Sequence, residues 1–597
     1  MLHPWTTWRE SGMVDLLKGG VLAGLVILTY PQVWSSAGAF ADTVYPIPWP
    51  GILLLLALCG LWVHIDSAAL DLDRIRRAGP VLLAFVAGLC LVFLRLFFSP
   101  DLAWALLACA AFAAVLFFPI QRLTVMAYCA PVAVLVALRA IGAEGIWVGT
   151  FGNRNFFASY LAAVVILAVS AIGTACRNRP GTCEPGAPPS SARYFLIWGV
   201  LGLIAVSALV RCWSRGAWLG LVGGLCWMVL VRLRVLRERP LVRASMIVAM
   251  VIGALTLSWV VQARYVQGSD VRPYLWRGGW ELVAQNPLVG VGPERMIDAW
   301  PAVRPPEYTL LDDAGDVSPY VHHWALQFWI DWGVPIGSLW ILFLAGALAL
   351  PLRGDPHRAA MQGVLAVFLF QNTFDAGLFH SPLRELALWI AASLWSPMLR
   401  QGCSQPQDRT VPFSTSPWLP RLGIGLFMAV VAYHGCLRPW LGNLEAETGH
   451  LAADRSEWSE AVPRLAAAVA WGPGPRREER YRLGYCLAQA GAHEAALEVY
   501  LALAGISPDY TRVNANLTRL LLVLGRFEAA LPYAERQMEL FPLNADDRVR
   551  YASCLLELGR VEEGRAALHR ALELNPAHAF AQQLLSRLAG AGGEPGG

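Results

Sequence analysis

Residues 263–337 contain the side chains of this chain that are best suited to chemistry. This long polar stretch lies between two apolar segments, and it carries several arginines and acidic residues followed by adjacent histidines: Arg264, Arg272, Arg277, Glu281, Glu294, Arg295, His322 and His323. Arginine grips anionic oxygens through two parallel hydrogen bonds and keeps its charge. Histidine titrates near neutral pH and can serve as a general base. The combination indicates a reaction on an anionic ligand.

The composition is typical of polytopic membrane proteins. Of the 597 residues, 56% are hydrophobic and 15% are charged, and the mean hydropathy is +0.47. The net charge of +4 includes no stripe suited to nucleic acid. We predict about 12–13 membrane-spanning helices of about 20 residues each. The apolar segments lie near residues 14–35, 47–65, 80–98, 101–119, 123–141, 156–174, 195–211, 217–235, 244–262, 323–351, 359–378, 383–399 and 421–437.

The distribution of positive charge predicts the orientation of these helices. Loops 66–79, 175–194 and 231–243 are rich in arginine, whereas loop 36–46 carries no Lys or Arg. Basic loops remain in the cytoplasm. The N-terminus is therefore predicted to be cytoplasmic, while segment 263–321 and the C-terminal region lie outside.

Four stretches on the predicted outer face share a recognisable pattern. They are GNRNFFASYL (152–161), SRGAWLG (214–220), VRPYLWRGGWELVAQNPLVGVGPERM (271–296) and HHWALQFWIDWGVPIG (322–337). Together they resemble the O-antigen ligase and polymerase superfamily, which includes bacterial O-oligosaccharyltransferases, over about residues 100–400. Two positions depart from the family pattern: His323 stands where Asn is usual, and Asp331 where Glu is usual.

The resemblance implies a GT-C-like helical domain in the bacterial inner membrane, multi-pass and surrounded by membrane lipid. It also implies a metal-independent glycosyltransferase that uses no cofactor. Such an enzyme moves a glycan from an undecaprenyl-pyrophosphate carrier to an acceptor, which is the lipid A core, a protein or a polysaccharide. Nucleic acid is not among the implied partners.

The same resemblance assigns roles to individual residues. His322 is the implied catalytic base, and Arg215 and Arg272 are the implied catalytic arginines, since cations beside a diphosphate leaving group lower the barrier. No residue is assigned to a metal. The implied substrate-binding residues are Asn153, Asn155, Arg277, Gln327 and His323. Gln327 and Asp331 are also candidate partners that support His322. Arg295 and Arg304, further along the loop, are expected to tolerate substitution.

Structural roles remain alternatives for several of these residues. A histidine at the start of a span can cap the helix, and Arg215 can pair with a backbone carbonyl. Asn153 and Asn155 are both favoured at the N-cap of a helix.

Other residues of the long loop are predicted to have structural roles only. Gly290 and Gly292 allow a tight turn after Pro287. Trp276 and Trp280 are expected to hold the loop against the membrane surface, where aromatic residues are enriched.

The C-terminal quarter contains a repeat. Gly491, Gly525 and Gly559 are separated by steps of 34 residues. The same step relates three other sets: Pro508, Pro542 and Pro576; Leu487, Leu521 and Leu555; and Glu460, Glu494, Glu528 and Glu562. This period resembles tetratricopeptide repeats, an α-solenoid that typically binds a protein or peptide partner. Cys486 and Cys554 share a repeat register and are predicted to be buried packing residues.

The predicted fold class is therefore all-α, with a membrane domain at 1–440, repeats at 441–590 in the periplasm and a flexible tail at 591–597. A repeat-unit polymerase is a related alternative to the ligase. A polysaccharide or lipid permease and a membrane-anchored repeat scaffold are alternatives of other classes. The long outer loop with its Arg and His residues favours a transferase over a scaffold. A transporter would be expected to show internal repeats among its spans, and none is visible by inspection.

Overall fold

The computed structural model describes residues 154–177, 192–233, 239–264, 270–311, 317–352, 356–379, 437–472 and 474–591, with isolated positions at 433 and between 383 and 395. Among these residues the structure contains helices and turns and no strand. The earlier helices are α1 (Arg154–Arg177), α2 (Ala192–Cys212), α3 (Arg215–Leu230), α4 (Pro240–Arg264), α5 (Arg272–Gln285), α6 (Met296–Val303), α7 (Trp324–Ala349) and α8 (Pro356–Gln371). The later ones are α9 (Arg438–Asp454), α10 (Trp458–Trp471), α11 (Arg477–Gln489), α12 (His493–Ile506), α13 (Val513–Val523), α14 (Phe527–Leu540), α15 (Ala545–Glu557), α16 (Val561–Leu574) and α17 (Ala579–Ala591).

The chain forms two compact units. Of the described residues, the first unit contains those up to 256, those at 322–328 and those from 336 to 436, and the second contains those at 257–321, at 329–335 and from 437 onwards. The long polar loop of the sequence therefore belongs to the same unit as the repeats. The sequence did not predict this grouping.

Helices α1, α2, α3 and α8 pack together in the first unit. Glycines bring α3 and α8 into close contact, because a Cβ atom at Gly220 would lie 2.8 Å from the Val367 carbonyl. A Cβ atom at Gly224 would lie 2.7 Å from the Gly363 carbonyl. Small residues that let two backbones approach in this way are characteristic of helix packing in membranes.

Two of the described helices are long and apolar enough to cross a membrane, namely Arg154–Gly173 within α1, and α7. Shorter apolar helices include Trp198–Cys212, Arg215–Leu230 and Arg358–Gln371. Large apolar side chains are also exposed along α2, α3 and α4, where Leu203, Leu219 and Ile252 are 70%, 60% and 57% exposed. Exposed apolar faces of this kind are expected where helices contact lipid or a partner.

Six of the predicted spans coincide with helices, namely α1, α2, α3, α4, α7 and α8. The predicted spans between residues 14 and 141 lie outside the described residues, as do the loops 36–46 and 66–79, many residues of the predicted span at 383–399 and most residues of that at 421–437. The segment predicted at 359–378 differs from the structure, because α8 ends at Gln371 and a polar turn follows. The side chain of Asn372 stabilises this turn and ends the helix, as described below.

The repeats form pairs of antiparallel helices, and the helix that ends at Gln489 shows how each pair turns. Gly491 has φ of +81°, and the amide of Ala492 donates to the Leu487 carbonyl at 2.9 Å. This bond closes a Schellman motif, in which glycine takes the left-handed conformation without steric cost. The equivalent bonds run from Arg526 to Leu521 and from Arg560 to Leu555. The glycines and leucines that recur in each repeat are thus the two parts of one turn.

The other registers also have local causes. Pro508, Pro542 and Pro576 each follow the end of the second helix of a pair by two residues, where proline stops a helix. The repeated glutamates lie in the first turns of α10, α12, α14 and α16. Their negative charge interacts favourably there with the positive end of the helix dipole. Cys486 and Cys554 are fully buried and unpaired, which confirms their packing role. Burial raises the pKa of the Cys554 thiol to about 11.

The turn between α9 and α10 differs from the later ones, because an exposed serine takes the left-handed conformation there, with φ of +61° at Ser456. We expect Ser456→Gly to stabilise this helix pair by about 0.5–1 kcal/mol, since a left-handed non-glycine residue costs roughly 1–2 kcal/mol and glycine returns part of this as chain entropy. Hydrogen exchange of α9 and α10 in the full-length protein measures the change. The reverse substitution, Gly525→Ser, is the matched control and should destabilise α13 and α14. If exchange is slowed in neither α9 nor α10 of the Ser456→Gly variant, this account is contradicted.

Candidate functional site

A polar turn after α8 connects two of the quoted motifs within the first unit. The Gln371 side chain donates from Nε2 to the Asn155 carbonyl at 2.9 Å, in the first turn of α1. The Asn372 carbonyl accepts the amide of Trp324, the first residue of α7, at 2.9 Å. The first N–H groups of a helix have no partner within the helix. The turn therefore fixes the beginnings of two helices that carry motif residues.

The side chain of Asn372 holds this turn in shape. Its Nδ2 donates to the Phe368 carbonyl at 2.8 Å, and its Oδ1 accepts the amide of Leu378 at 2.7 Å. Asn372 is 1% exposed, so each of these backbone groups is satisfied away from water. The turn is thereby connected to α8 on one side and to the 3₁₀ helix Gly377–Phe379 on the other.

Helix α3 brings the SRGAWLG stretch to the same turn. The Ser214 hydroxyl accepts the amide of Ala217 at 3.3 Å and caps the helix. A Cβ atom at Gly220 would lie 3.2 Å from the Gln371 side chain, so glycine permits the close approach. Arg215 occupies the first position of α3 and its side chain is exposed. Its guanidinium is therefore accessible to a ligand at this helix end.

His323 has the helix-capping role that the sequence left open as an alternative for a histidine at this position. It is the N-cap of α7, where its Nδ1 accepts the amide of Leu326 at 3.2 Å. Its Nε2 donates to the Ala254 carbonyl of α4, also at 3.2 Å. These partners assign the hydrogen to Nε2, and the ring is 1% exposed. Asparagine, the residue usual in the family pattern, is likewise a favoured N-cap.

His322 has the position expected of a reactive group. Its side chain is 37% exposed, and its Nδ1 lies 3.7 Å from Oδ1 of Asp375, whose side chain is 6% exposed. Its φ is +54°, a left-handed backbone conformation that is costly for a residue other than glycine. Strain of this kind is concentrated at functional sites. The ring is therefore held between solvent and a buried carboxylate.

Sequence analysis missed Asp375. It proposed Gln327 and Asp331 as the partners of His322, whereas the carboxylate that lies 3.7 Å from the His322 ring is that of Asp375. Asp375 is fixed by the amide of Ala376, which donates to its Oδ1 at 2.8 Å. A signal was present, because the run Q-N-T-F-D at 371–375 is unusually polar between two apolar segments.

The loop arginines lie in the second unit. Arg272 is the first residue of α5, and its Nη1 lies 3.2 Å from Oδ2 of Asp270. The Asp270 carboxylate also accepts the Arg272 amide at 3.0 Å. The Arg272 side chain is 38% exposed, and Arg277 is exposed one turn later. Both guanidinium groups are thus open to solvent.

The two candidate site residues within α7, Gln327 and Asp331, are buried. Gln327 is 1% exposed and belongs to the first unit, whereas Asp331 is 4% exposed and belongs to the second. The Asp331 carbonyl accepts the amide of Gly292 at 3.0 Å. Gly290 has φ of +67°, and a Cβ atom there would lie 2.4 Å from the Ile330 carbonyl. The predicted glycine turn is confirmed, and it packs against the backbone of α7.

Three other predictions of the sequence have different outcomes. Asn153 lies outside the described residues, and Asn155 lies within α1 rather than before it. The prediction that Trp276 lies at the membrane surface is wrong, since the side chain is 3% exposed. Trp280 packs edge-on against Trp329, with 5.9 Å between ring centroids. In the described part of the chain, no three His, Cys, Asp or Glu residues are grouped to hold a metal ion.

Comparison with known families supports the division into a membrane enzyme and repeats. Residues 200–341, which include α3, α5, His322 and His323, match the O-antigen ligase family. Residues 447–511 and 521–588 match tetratricopeptide repeat families. The first match supports a membrane protein that transfers glycans, as a ligase or a polymerase.

Individual relatives are similar over short regions. TPR repeat-containing protein YpiA of Bacillus subtilis (strain 168) is 29% identical over 120 residues, which are 20% of this chain and 28% of YpiA. The chain thus spans less than a third of this curated relative. Among solved structures, the MamA RS-1 ArsTM double mutant is 20% identical over 26% of this chain and 85% of its own, with a TM-score of 0.25. YrrB, a TPR protein with an unusual peptide-binding site, is 19% identical over 23% and 70%, with a TM-score of 0.21.

The family matches agree with the helical fold and with the motif order from SRGAWLG to HHWALQFWIDWGVPIG. The chain thus combines a segment that matches the O-antigen ligase family, at residues 200–341, with C-terminal tetratricopeptide repeats.

Proposed function

We propose that this protein transfers a glycan from an undecaprenyl-pyrophosphate carrier to an acceptor hydroxyl at the outer face of the bacterial inner membrane. The observation that carries the proposal is the pair of His322 and Asp375, 3.7 Å apart, in which the ring is accessible and the carboxylate is buried. An accessible imidazole beside a buried carboxylate is suited to abstracting the proton of a hydroxyl.

His322 is the proposed general base. With Nδ1 directed at Asp375, the other ring nitrogen, Nε2, remains to take the proton of the acceptor hydroxyl. The ring becomes an imidazolium in this step, and the nearby Asp375 carboxylate stabilises that charge. His323 is not suited to this role, because both of its ring nitrogens already have backbone partners.

The arginines are proposed to stabilise the leaving group. A diphosphate gains negative charge as the bond to the sugar breaks, and preorganised cations lower the energy of that state. Arg215 and Arg272 each stand at the first position of a helix, where backbone N–H groups add positive potential. Arg277, on the exposed side of α5, is proposed to contact the same donor.

The repeats favour a protein as acceptor or partner over the lipid A core or a growing polysaccharide. Helical repeats of this class present extended surfaces that typically bind peptide or protein. In this proposal the repeats and the loop 263–321 lie in the periplasm, multiple spans cross the inner membrane, and a domain boundary lies near residue 440.

Substitution of the two histidines separates catalysis from helix capping. We expect His322→Ala to lower transfer by about 10²–10⁴-fold, the contribution typical of a general base. His323→Asn should retain transfer, since asparagine can replace the N-cap. The measurement is the ratio of acceptor-linked to carrier-linked glycan in a deletion strain that produces each variant at matched levels.

Asp375→Asn keeps the size of the side chain and removes its charge, and is expected to fall between these two variants. An inactive His323→Asn variant beside an active His322→Ala variant would mean that the motif is aligned one residue out of register.

The geometry of the guanidinium group is the second point to test. We expect Arg215→Lys and Arg272→Lys each to lose about tenfold or more of transfer while the protein still accumulates, because lysine cannot make the two-point phosphate contact. Arg295→Lys, at an exposed position of the same loop, is the matched control and should retain transfer. Near-normal transfer by both lysine variants would show that a point charge suffices.

The proposed topology predicts the side of the membrane on which two segments lie. Alkaline phosphatase fused after Gly442 should be active, and the same reporter at Gly181 should be silent, because the reporter folds only outside the cytoplasm. The expectation follows from the basic loop 231–243 and the charge-poor loop 36–46. The opposite pattern of activities excludes an outer-face reaction.

A further inference from the structure

The second unit contains contacts that the proposed chemistry does not use, between the long loop and the repeats. Helix α6 of the loop carries two contact points, Asp298 in its first turn and Arg304 directly after its last residue. Repeat side chains and backbone hold both residues, although 179 and 236 sequence positions separate the partners. We call these two contact points the clamp.

The first contact point is a carboxylate with three donors. Asp298 accepts from Nε of Arg477 at 2.8 Å and from Nη2 of the same guanidinium at 2.5 Å. The Ser507 hydroxyl donates to it at 2.6 Å. The Arg477 and Asp298 side chains are 18% and 22% exposed. A two-point, partly buried ion pair of this kind is stronger than an exposed one.

The second contact point is a buried arginine. Arg304 is 7% exposed, and its Nη2 donates to the Leu540 carbonyl at 2.9 Å, at the end of α14. Its guanidinium also lies 4.2 Å from the centroid of the Phe541 ring. Carbonyls at helix ends carry partial negative charge and lack partners within the helix. The expected tolerance of Arg304 to substitution therefore no longer holds, because its removal would leave this carbonyl unsatisfied.

Other side chains of the repeats surround the Phe541 ring against which Arg304 packs. The guanidinium of Arg512 also lies over Phe541, 4.3 Å from the ring centroid. Arg512 is in turn held by Asp547, whose side chain is fully buried, through a contact of 3.1 Å. The Phe541 ring thus sits among fixed groups of α13, α14 and α15.

A packed path leads from the clamp to Arg272. Trp300, in the middle of α6, is fully buried and lies against α5, where a Cβ atom at Gly278 would be 2.4 Å from its ring. Tyr308 packs edge-on against Trp300 and Tyr274, with centroid distances of 5.3 and 6.3 Å. Close-packed contacts such as these transmit displacement. A shift of α6 therefore shifts α5 and its first residue, Arg272.

We propose that the repeats act on the chain's own transferase loop, and that Asp298 and Arg304 are positioning residues that fix α5 and the Arg272 guanidinium. This inference rests on the proposed function for its catalytic part, while the clamp itself is independent of it. The repeat array is then a part of the enzyme in addition to any surface that it offers to a partner.

The test uses the full-length protein in lipid nanodiscs and exchanges the charges of the first contact point. Arg477→Asp and Asp298→Arg should each speed hydrogen exchange in α5 and α6 and lower transfer, both by about tenfold or more, since small displacements of a positioned group cost up to about 10² in rate. The double variant restores an ion pair and should restore both measurements. Arg526→Asp, which breaks an exposed ion pair with Glu494 within the repeats, is the matched control and should change neither.

A second measurement connects the clamp to Arg272 itself. If Arg477→Asp already displaces Arg272, adding Arg272→Lys should lower kcat by less than about threefold, although the same substitution costs about tenfold or more in the parent protein. Additive losses would overturn the positioning role.

Three further outcomes would count against parts of the scheme. Unchanged exchange in the single variants would overturn the clamp, and unchanged transfer despite faster exchange would overturn the positioning role alone. An absence of transfer by the parent protein would overturn the proposed function together with the positioning role, while the exchange data would still report on the clamp.

Discussion

Helix ends that lie among apolar side chains leave backbone N–H and C=O groups that water cannot reach, so these groups need partners within the protein. The first unit depends on how the two ends of α7 obtain such partners. At its beginning, the Trp324 amide is paired with the Asn372 carbonyl, and the His323 ring accepts the Leu326 amide. At its end, the Gln362 side chain donates to the carbonyls of Ala347 and Leu350, and Arg243 donates to the latter at 3.0 Å. Three buried polar side chains, of which the sequence had assigned only His323 to function, thus complete the two ends of a single helix.

The candidate site follows from the same requirement. The turn that supplies the Asn372 carbonyl continues for three residues to Asp375, which brings this carboxylate to the residue that precedes the His323 cap. Asp375 therefore lies beside His322 because the first amide of α7 is paired with the Asn372 carbonyl. Because the cap, the turn and the pair lie on two backbone segments that the Trp324–Asn372 hydrogen bond joins, substitutions that disturb α7 are expected to affect the proposed base as well.

Features determined by local interactions could be predicted from the sequence, and those that depend on distant residues could not. The glycine, leucine and proline registers of the repeats predicted their turns, because a Schellman motif is closed within six residues. The Gly290 turn was predicted for the same reason. Asp375 was missed since its relation to His322 arises only when α8 reaches the start of α7. Trp276 was assigned to the membrane surface because its burial depends on packing that no local pattern reveals. The roles of Arg215 and Arg272 remain predictions.

The separation between the partners of the clamp also has a consequence for biosynthesis. Asp298 and Arg304 emerge from the ribosome well before Arg477 and Leu540, which follow 179 and 236 residues later. Contacts between residues so far apart in the chain form late, and segments that await them stay without their native partners. During translation at about 5–20 residues per second, the loop would wait roughly ten seconds or more for the repeats. A chain that terminates before Leu540 cannot form both contact points of the clamp, so the clamp closes only after the repeats as far as α14 have been synthesised.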